Sequence, residues 1–161
     1  GDRDDDATLE ACVLPDYDVG LLDDYIDDIL FFFDTSHAQC VRALLSLVQL
    51  LPPGVGQAYF DAAVVNGVLC TMLSLPSPPT LPVYYGAVIS GLCKEQPTLP
   101  RALGRAIMYV YRRAHRLDLT VYDRFVQWFA HHLSNFDYLW PWHMWHAVLA
   151  TDDGDGDGDG D

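Results

Sequence analysis

Between Leu117 and Trp145 the chain carries more aromatic surface than a single helix can hide. All four tryptophans, Trp128, Trp140, Trp142 and Trp145, fall in this stretch. Val121, Phe125, Trp128, Phe129, His132, Leu133 and Phe136 recur at i, i+4, i+7, i+8, i+11, i+12 and i+15. That spacing paints one face of a helix. Asp123, Arg124, Gln127, His131 and Ser134 take the opposite, polar face. Thr120 and Asp123 have the spacing of a capping box, Asn135 is the predicted stop, and Trp140-Pro141-Trp142 opens a further helix carrying Trp145 and Val148. So much ring area needs several other helices to cover it.

The rest of the sequence supplies them. Leu22, Ile26, Ile29, Leu30 and Phe33 share a face, with Asp23, Asp24, Asp27 and Asp28 opposite. Asp34 to Ser36 offer a cap for a second helix, about Ala38 to Leu51, which Pro52-Pro53-Gly54 ends. A third runs from about Gln57 to Leu75. The segment Ser74-Leu75-Pro76-Ser77-Pro78-Pro79 is predicted as a rigid extended connection, since residues before proline avoid helical geometry. Pro79-Thr80-Leu81-Pro82 and Pro97-Thr98-Leu99-Pro100 then echo one another. In each, Thr is placed to cap and Pro to sit in the first turn, where its missing N–H costs nothing. The runs they introduce, Val83 to Cys93 and Arg101 to Leu117, are the next two helices. About seven helices with short turns and no strand pattern predict an all-α fold. Its expected form is an α-solenoid of antiparallel helical hairpins of the HEAT or armadillo type.

Charge divides the chain. Residues 1–34 hold twelve acids against one arginine, and residues 152–161 hold six aspartates. Residues 35–151 have eight Lys and Arg against five acids, so the chain's net −14 hides a mildly basic middle. The expected organisation is an acidic, disordered arm over 1–18, a helical-repeat domain over 19–150, and a flexible Gly-Asp tail over 151–161. No apolar run approaches the ~18–20 residues of a membrane span. No basic stretch precedes an apolar one at the start, so no secretory signal is expected. Cys12, Cys40, Cys70 and Cys93 are scattered, without CxxC spacing, and read as buried free thiols of a reducing compartment.

Four constellations invite a chemical reading. Asp23-Asp24-Tyr25-Ile26-Asp27 has the DDxxD form with which all-α isoprenoid synthases hold Mg²⁺ against a diphosphate. The second acidic motif of those enzymes is absent, and a solvated acidic helix face is the better account. Asp153, Asp155, Asp157 and Gly158 imitate the start of a calcium loop but lack its closing Glu. His143 and His146, with His131 and His132 upstream, have neither an HExxH context nor a cysteine partner. No nucleophile elbow or phosphate-cradling glycine loop is present. The residues therefore assign no catalytic, cofactor-binding or metal-ligating group. The fourth pattern is basic: Arg101, Arg105, Arg112 and Arg116 fall at i, i+4, i+11 and i+15, opposite Leu103, Ile107, Val110, Ala114 and Leu117. Such a stripe can bind phosphate or an acidic partner bidentately, or simply stay solvated.

Three ordered segments carry a resemblance. Leu75-Pro76-Ser77-Pro78-Pro79, Gly91-Leu92-Cys93-Lys94-Glu95-Gln96-Pro97, and Asp123-Arg124-Phe125-Val126-Gln127-Trp128-Phe129 running into Ala130-His131-His132-Leu133-Ser134-Asn135-Phe136 are spaced as in the large subunits of nuclear cap-binding complexes. Over about Leu21 to Leu149 the chain resembles their middle helical domain, akin to the middle domain of translation initiation factor 4G. The resemblance implies a nuclear scaffold without cofactors. Its expected partners are a small RRM-containing cap-binding subunit and adaptors of RNA splicing, export and decay, with capped RNA contacted only indirectly and no membrane involved. On this reading the tryptophans pack a core and a hairpin turn; they do not cage a cap. The family's other helical domains have no counterpart here, so a fragment or reduced form is expected. The arginine stripe, the acidic arm and the Gly-Asp tail lie outside the resemblance. The two alternatives are a Mg²⁺-dependent isoprenoid-type enzyme at Asp23, Asp24 and Asp27, and a generic solenoid adaptor for acidic or RNA partners.

Overall fold

A computed structural model describes residues 16–52 and 54–140. These residues form six α-helices: α1 Asp16–Phe32, α2 His37–Ser46, α3 Gln57–Met72, α4 Pro82–Glu95, α5 Leu99–Arg112 and α6 Leu119–Asn135. Short 3-10 turns, Leu47–Leu50 and Ala114–Arg116, follow α2 and α5. Among the described residues there is no strand. The predicted seventh helix with Trp142, Trp145, His143 and His146 lies outside them, as do the Gly-Asp tail and residues 1–15 of the acidic arm. α1 begins at Asp16, inside the stretch expected to be arm. The chain divides into two compact units, one ending at Trp128 and one starting at Phe129, so the boundary falls within α6.

In the first unit α1 packs on α3 and α3 on α5, while α2 packs on α4. Contacts of α1 with α2, α3 with α4 and α4 with α5 join the two rows. This is the stacked-hairpin, solenoid-type arrangement expected from the sequence. α3 is central. Phe60, Val64, Val65, Val68, Leu69 and Met72 are all buried, which is why its sequence is apolar almost all round.

Glycine sets how closely the helices approach. A Cβ on Gly67 of α3 would stand 2.6 Å from Ile26 Cγ2 of α1, and one on Gly91 of α4 would stand 2.8 Å from Val41 Cγ2 of α2. Each row thus has one crossing at which a β-branched side chain rests on bare backbone. Branched side chains have one favoured helical rotamer and cannot step aside cheaply.

Polar groups fasten the connections. Asp61 of α3 is 1% exposed. Its Oδ1 accepts from Gln57 Nε2 at 2.8 Å, and its Oδ2 accepts from the Thr98 hydroxyl. Thr98 stands at the cap position of α5 but makes no side-chain cap bond: its backbone is already helical (φ −84°, ψ −21°), its hydroxyl donates to Asp61, and its Oγ1 accepts from Gln96 Nε2 at 3.0 Å. Leu81, not Thr80, occupies the cap position of α4. The acceptor at the start of α6 is likewise Asp118, whose carboxylate takes the Thr120 N–H at 2.8 Å. The predicted threonine cap bonds are therefore absent at α4 and α5, and only α6 has a substitute side-chain acceptor, Asp118. Pro82 and Pro100 do sit in first turns, where a missing donor is harmless.

Pattern alone puts Arg124 on the solvated face of α6, yet it docks on the end of α3. Its Nη1 donates to the carbonyls of Met72 (3.3 Å) and Ser74 (2.7 Å), and its Nη2 to that of Pro76 (3.2 Å). Carbonyls at a helix C-terminus lack intrahelical donors and carry the negative end of its dipole, so a guanidinium fork suits them. Tyr84 of α4 plays a related part for α1, donating its hydroxyl to the Phe33 carbonyl at 2.8 Å.

In the second unit α6 stops at Asn135 as predicted. Asp137 and Tyr138 take left-handed backbone angles, φ 52° and 57°. The Tyr138 N–H returns to the Leu133 carbonyl at 2.9 Å, closing the helix end. Phe129 meets Trp140 edge-on at 5.2 Å, and the buried His132 ring lies 4.7 Å from Phe136. Burial, and secondarily the charge of His131, push the His132 imidazole down to about 4. A histidine held below its ordinary ~6.5 favours folding while neutral, and that contribution is lost as pH falls from about 6.5 towards 4. Discounted for solvent access at a helix end, the loss is on the order of 1–2 kcal/mol. Thermal melts at about pH 7 and about pH 4.5 are expected to show a larger drop in Tm for the native chain than for His132→Leu. Equal drops would refute this assignment.

Candidate partner-binding surfaces

The four arginines singled out in the sequence are all exposed. Arg101, Arg105 and Arg112 share the outer face of α5, whose inner face buries Leu99, Leu103 and Ile107. Arg116 does not continue the stripe. α5 ends at Arg112, Arg113 leaves helical geometry (φ −109°, ψ 8°), and Arg116 belongs to the 3-10 turn. Arg113 instead folds back, its guanidinium carbon 3.7 Å from the centre of the Tyr109 ring. Cations collected at the end of a helix complement its dipole, which accounts for this cluster without a ligand.

The acidic pattern on α1 borders an open groove of about 790 Å³ between α1 and α3. Asp23, Asp27 and Asp28 form one rim, with Leu30 and Phe31 beside them. Asp24 is not among the lining residues. The facing wall of α3 offers Tyr59, Asn66, Cys70 and Thr71 above small residues, and no carboxylate among the described residues. The Thr71 hydroxyl lies within hydrogen-bond distance of Asp27 Oδ1 (2.9 Å) and of the Gly67 carbonyl of its own helix (2.8 Å), its single proton shared between the two acceptors, and so links the two walls. Burial against the groove, then the Asp27 and Asp24 charges, raise the Asp23 carboxyl above its ordinary value. Two of the three DDxxD carboxylates, Asp23 and Asp27, thus do face a pocket, but the acidic partner wall that a diphosphate-binding Mg²⁺ site requires is not across from them among the described residues. Among the described residues no cluster of three His, Cys, Asp or Glu side chains is placed to hold a metal ion.

The cysteines divide by position. Cys40 is buried, Cys93 is partly buried with its thiol pushed up to about 11 by burial, and Cys70 is exposed on the groove wall. Cys70 therefore departs from the expectation of buried thiols, and Cys12 lies outside the described residues. Trp128 is 4% exposed, with Gly86 of α4 leaving room for its indole, and is packed as the sequence suggested. Sequence reasoning missed the groove because much of its α3 wall is small residues. Ala63, Gly67 and Thr71 at four-residue spacing, beside Ala62, Asn66 and Cys70, are the signal it left in the chain.

Among the described residues no helix is long and apolar enough to cross a membrane. Comparison with known proteins gives one family model, MIF4G like, which matches residues 24–155. The chain is also similar to nuclear cap-binding protein subunit 1 of several organisms. The chicken (Gallus gallus) protein is 37% identical over 114 residues, 70% of this chain and 14% of the relative. The human protein is 37% identical over 101 residues, 62% of this chain and 13% of the relative. The rice (Oryza sativa subsp. japonica) protein is 35% identical over 129 residues, 80% of this chain and 14% of the relative. The chain thus spans only 13–14% of the length of these relatives.

Proposed function

Because this chain belongs to the MIF4G-like family, we propose that it works as a helical scaffold domain of a nuclear cap-binding complex large subunit. In this reading it acts by protein contact, not as an enzyme. It supports a small RRM-containing subunit and presents surfaces to RNA-processing, splicing, export and decay factors in the nucleus. In this reading capped RNA reaches it through that small subunit, which reads the base by stacking, while the Trp128 ring of this chain is committed to packing. The observation that carries the reading is the family match over nearly the whole helical stack, together with relatives named nuclear cap-binding protein subunit 1.

The exposed arginines of α5, Arg101, Arg105 and Arg112, are proposed as a second contact face for acidic or phosphate-bearing segments, with Arg116 standing beyond it on the following 3-10 turn. The test of the scaffold reading is capture of a small cap-binding subunit by the purified chain, with capped RNA alone as the comparison.

A further inference from the structure

The groove between α1 and α3 lies outside that reading. Its α3 wall runs from Tyr59 to Thr71, about 18 Å at the helical rise of ~1.5 Å per residue. A trough of that length is matched to a peptide segment, whereas a compact ligand would fill only part of it. Its lining combines apolar side chains with three carboxylates and, among the described residues, no lysine or arginine. Phe31 on the rim is 77% exposed, a large apolar side chain left open to solvent at the edge of the groove.

We propose that this groove is a docking site for a basic, amphipathic peptide segment of a partner protein. Apolar anchors of the segment would rest on Phe31, Tyr59 and the small-residue floor of α3, while its Lys or Arg side chains would meet Asp23, Asp27 and Asp28. The charge pattern selects this occupant. Crowded like charges on one helix face repel one another, and a cationic segment relieves that repulsion while the aromatic rim is covered. An acidic segment would add to the repulsion, and a purely apolar one would strip water from three carboxylates without replacing it.

The test is a selection of displayed random peptides on the purified full chain, which contains no small subunit and so is independent of the scaffold reading. Selected peptides are expected to combine Lys or Arg with aromatic or aliphatic residues. They should protect Cys70 from alkylation, read by mass spectrometry, and lose at least about tenfold in affinity against Asp23→Lys/Asp27→Lys. The milder Asp23→Asn/Asp27→Asn chain should weaken them in the same direction, with helicity confirmed by circular dichroism in both. Raising ionic strength from about 0.1 to about 1 M, which shortens the screening length from ~10 to ~3 Å, should also weaken binding. Selected peptides that are acidic or free of charge, unchanged affinity for both variants, or an unprotected Cys70 would each overturn the proposal. Uniformly apolar selections would assign the groove to packing by another hairpin, which also overturns it.

Discussion

Gly67→Ala is expected to destabilise the helical stack by about 1–3 kcal/mol, although alanine favours a helix over glycine by about 1 kcal/mol. The new methyl would stand 2.6 Å from Ile26 Cγ2, inside any real contact distance. Ile26 is fully buried and β-branched, so either its rotamer or the α1–α3 spacing must give. Ile26→Ala alone should cost about 2–5 kcal/mol by leaving a cavity. Combined, the two changes partly cancel, since the methyl that Gly67→Ala adds occupies space that Ile26 Cγ2 vacates. Urea denaturation of the four chains should give a coupling of at least about 1 kcal/mol in the favourable direction. Additivity within about 0.5 kcal/mol would show that the two groups do not press on one another.

Arg124→Ala is expected to cost about 2–3 kcal/mol, an effect out of proportion to a charged residue on the polar face of an amphipathic helix. It removes charge-assisted hydrogen bonds to the Met72, Ser74 and Pro76 carbonyls and leaves the end of α3 without its cation. Arg124→Lys should restore less than half of the loss, because one ammonium cannot reach three divergent carbonyls as a planar fork does. Hydrogen exchange localises the effect. The Leu73 and Ser74 amides, bonded to Leu69 and Thr71 carbonyls, should exchange faster in Arg124→Ala than amides in the middle of α4. Uniform acceleration, or full rescue by lysine, would assign Arg124 to general surface charge.

These two sites show where sequence pattern stops informing. The apolar face of α6 is legible because its core positions, Phe125, Trp128 and His132, recur at helical spacing, and all three are buried. Arg124 is not, because the acceptors it finds are backbone carbonyls of a distant connection, which leave no mark on side-chain periodicity. Thr98 has the neighbours of a cap. Its hydroxyl goes instead to Asp61, a lone acid in an apolar helix that only tertiary structure explains. The arginine spacing assumes one continuous helix, whereas α5 ends at Arg112, Arg113 leaves helical geometry and Arg116 belongs to the 3-10 turn. Periodicity makes the acidic face of α1 a solvated one, and Asp24, Asp27 and Asp28 are indeed exposed. Yet the same face borders a groove whose opposite wall, built of small residues, carries no periodic signal strong enough to notice. The family is legible because ordered motifs survive where single residues mislead.

Mixing the tagged chain, its helicity confirmed by circular dichroism, with a small RRM-containing cap-binding subunit is the most direct test of a scaffold role. Capture and cap-selective RNA binding are then measured for the mixture and for the chain alone. The scaffold reading predicts that the small subunit is retained and that cap-selective binding appears only in the mixture. A folded chain that retains no small subunit, or one that binds capped RNA selectively by itself, would contradict it.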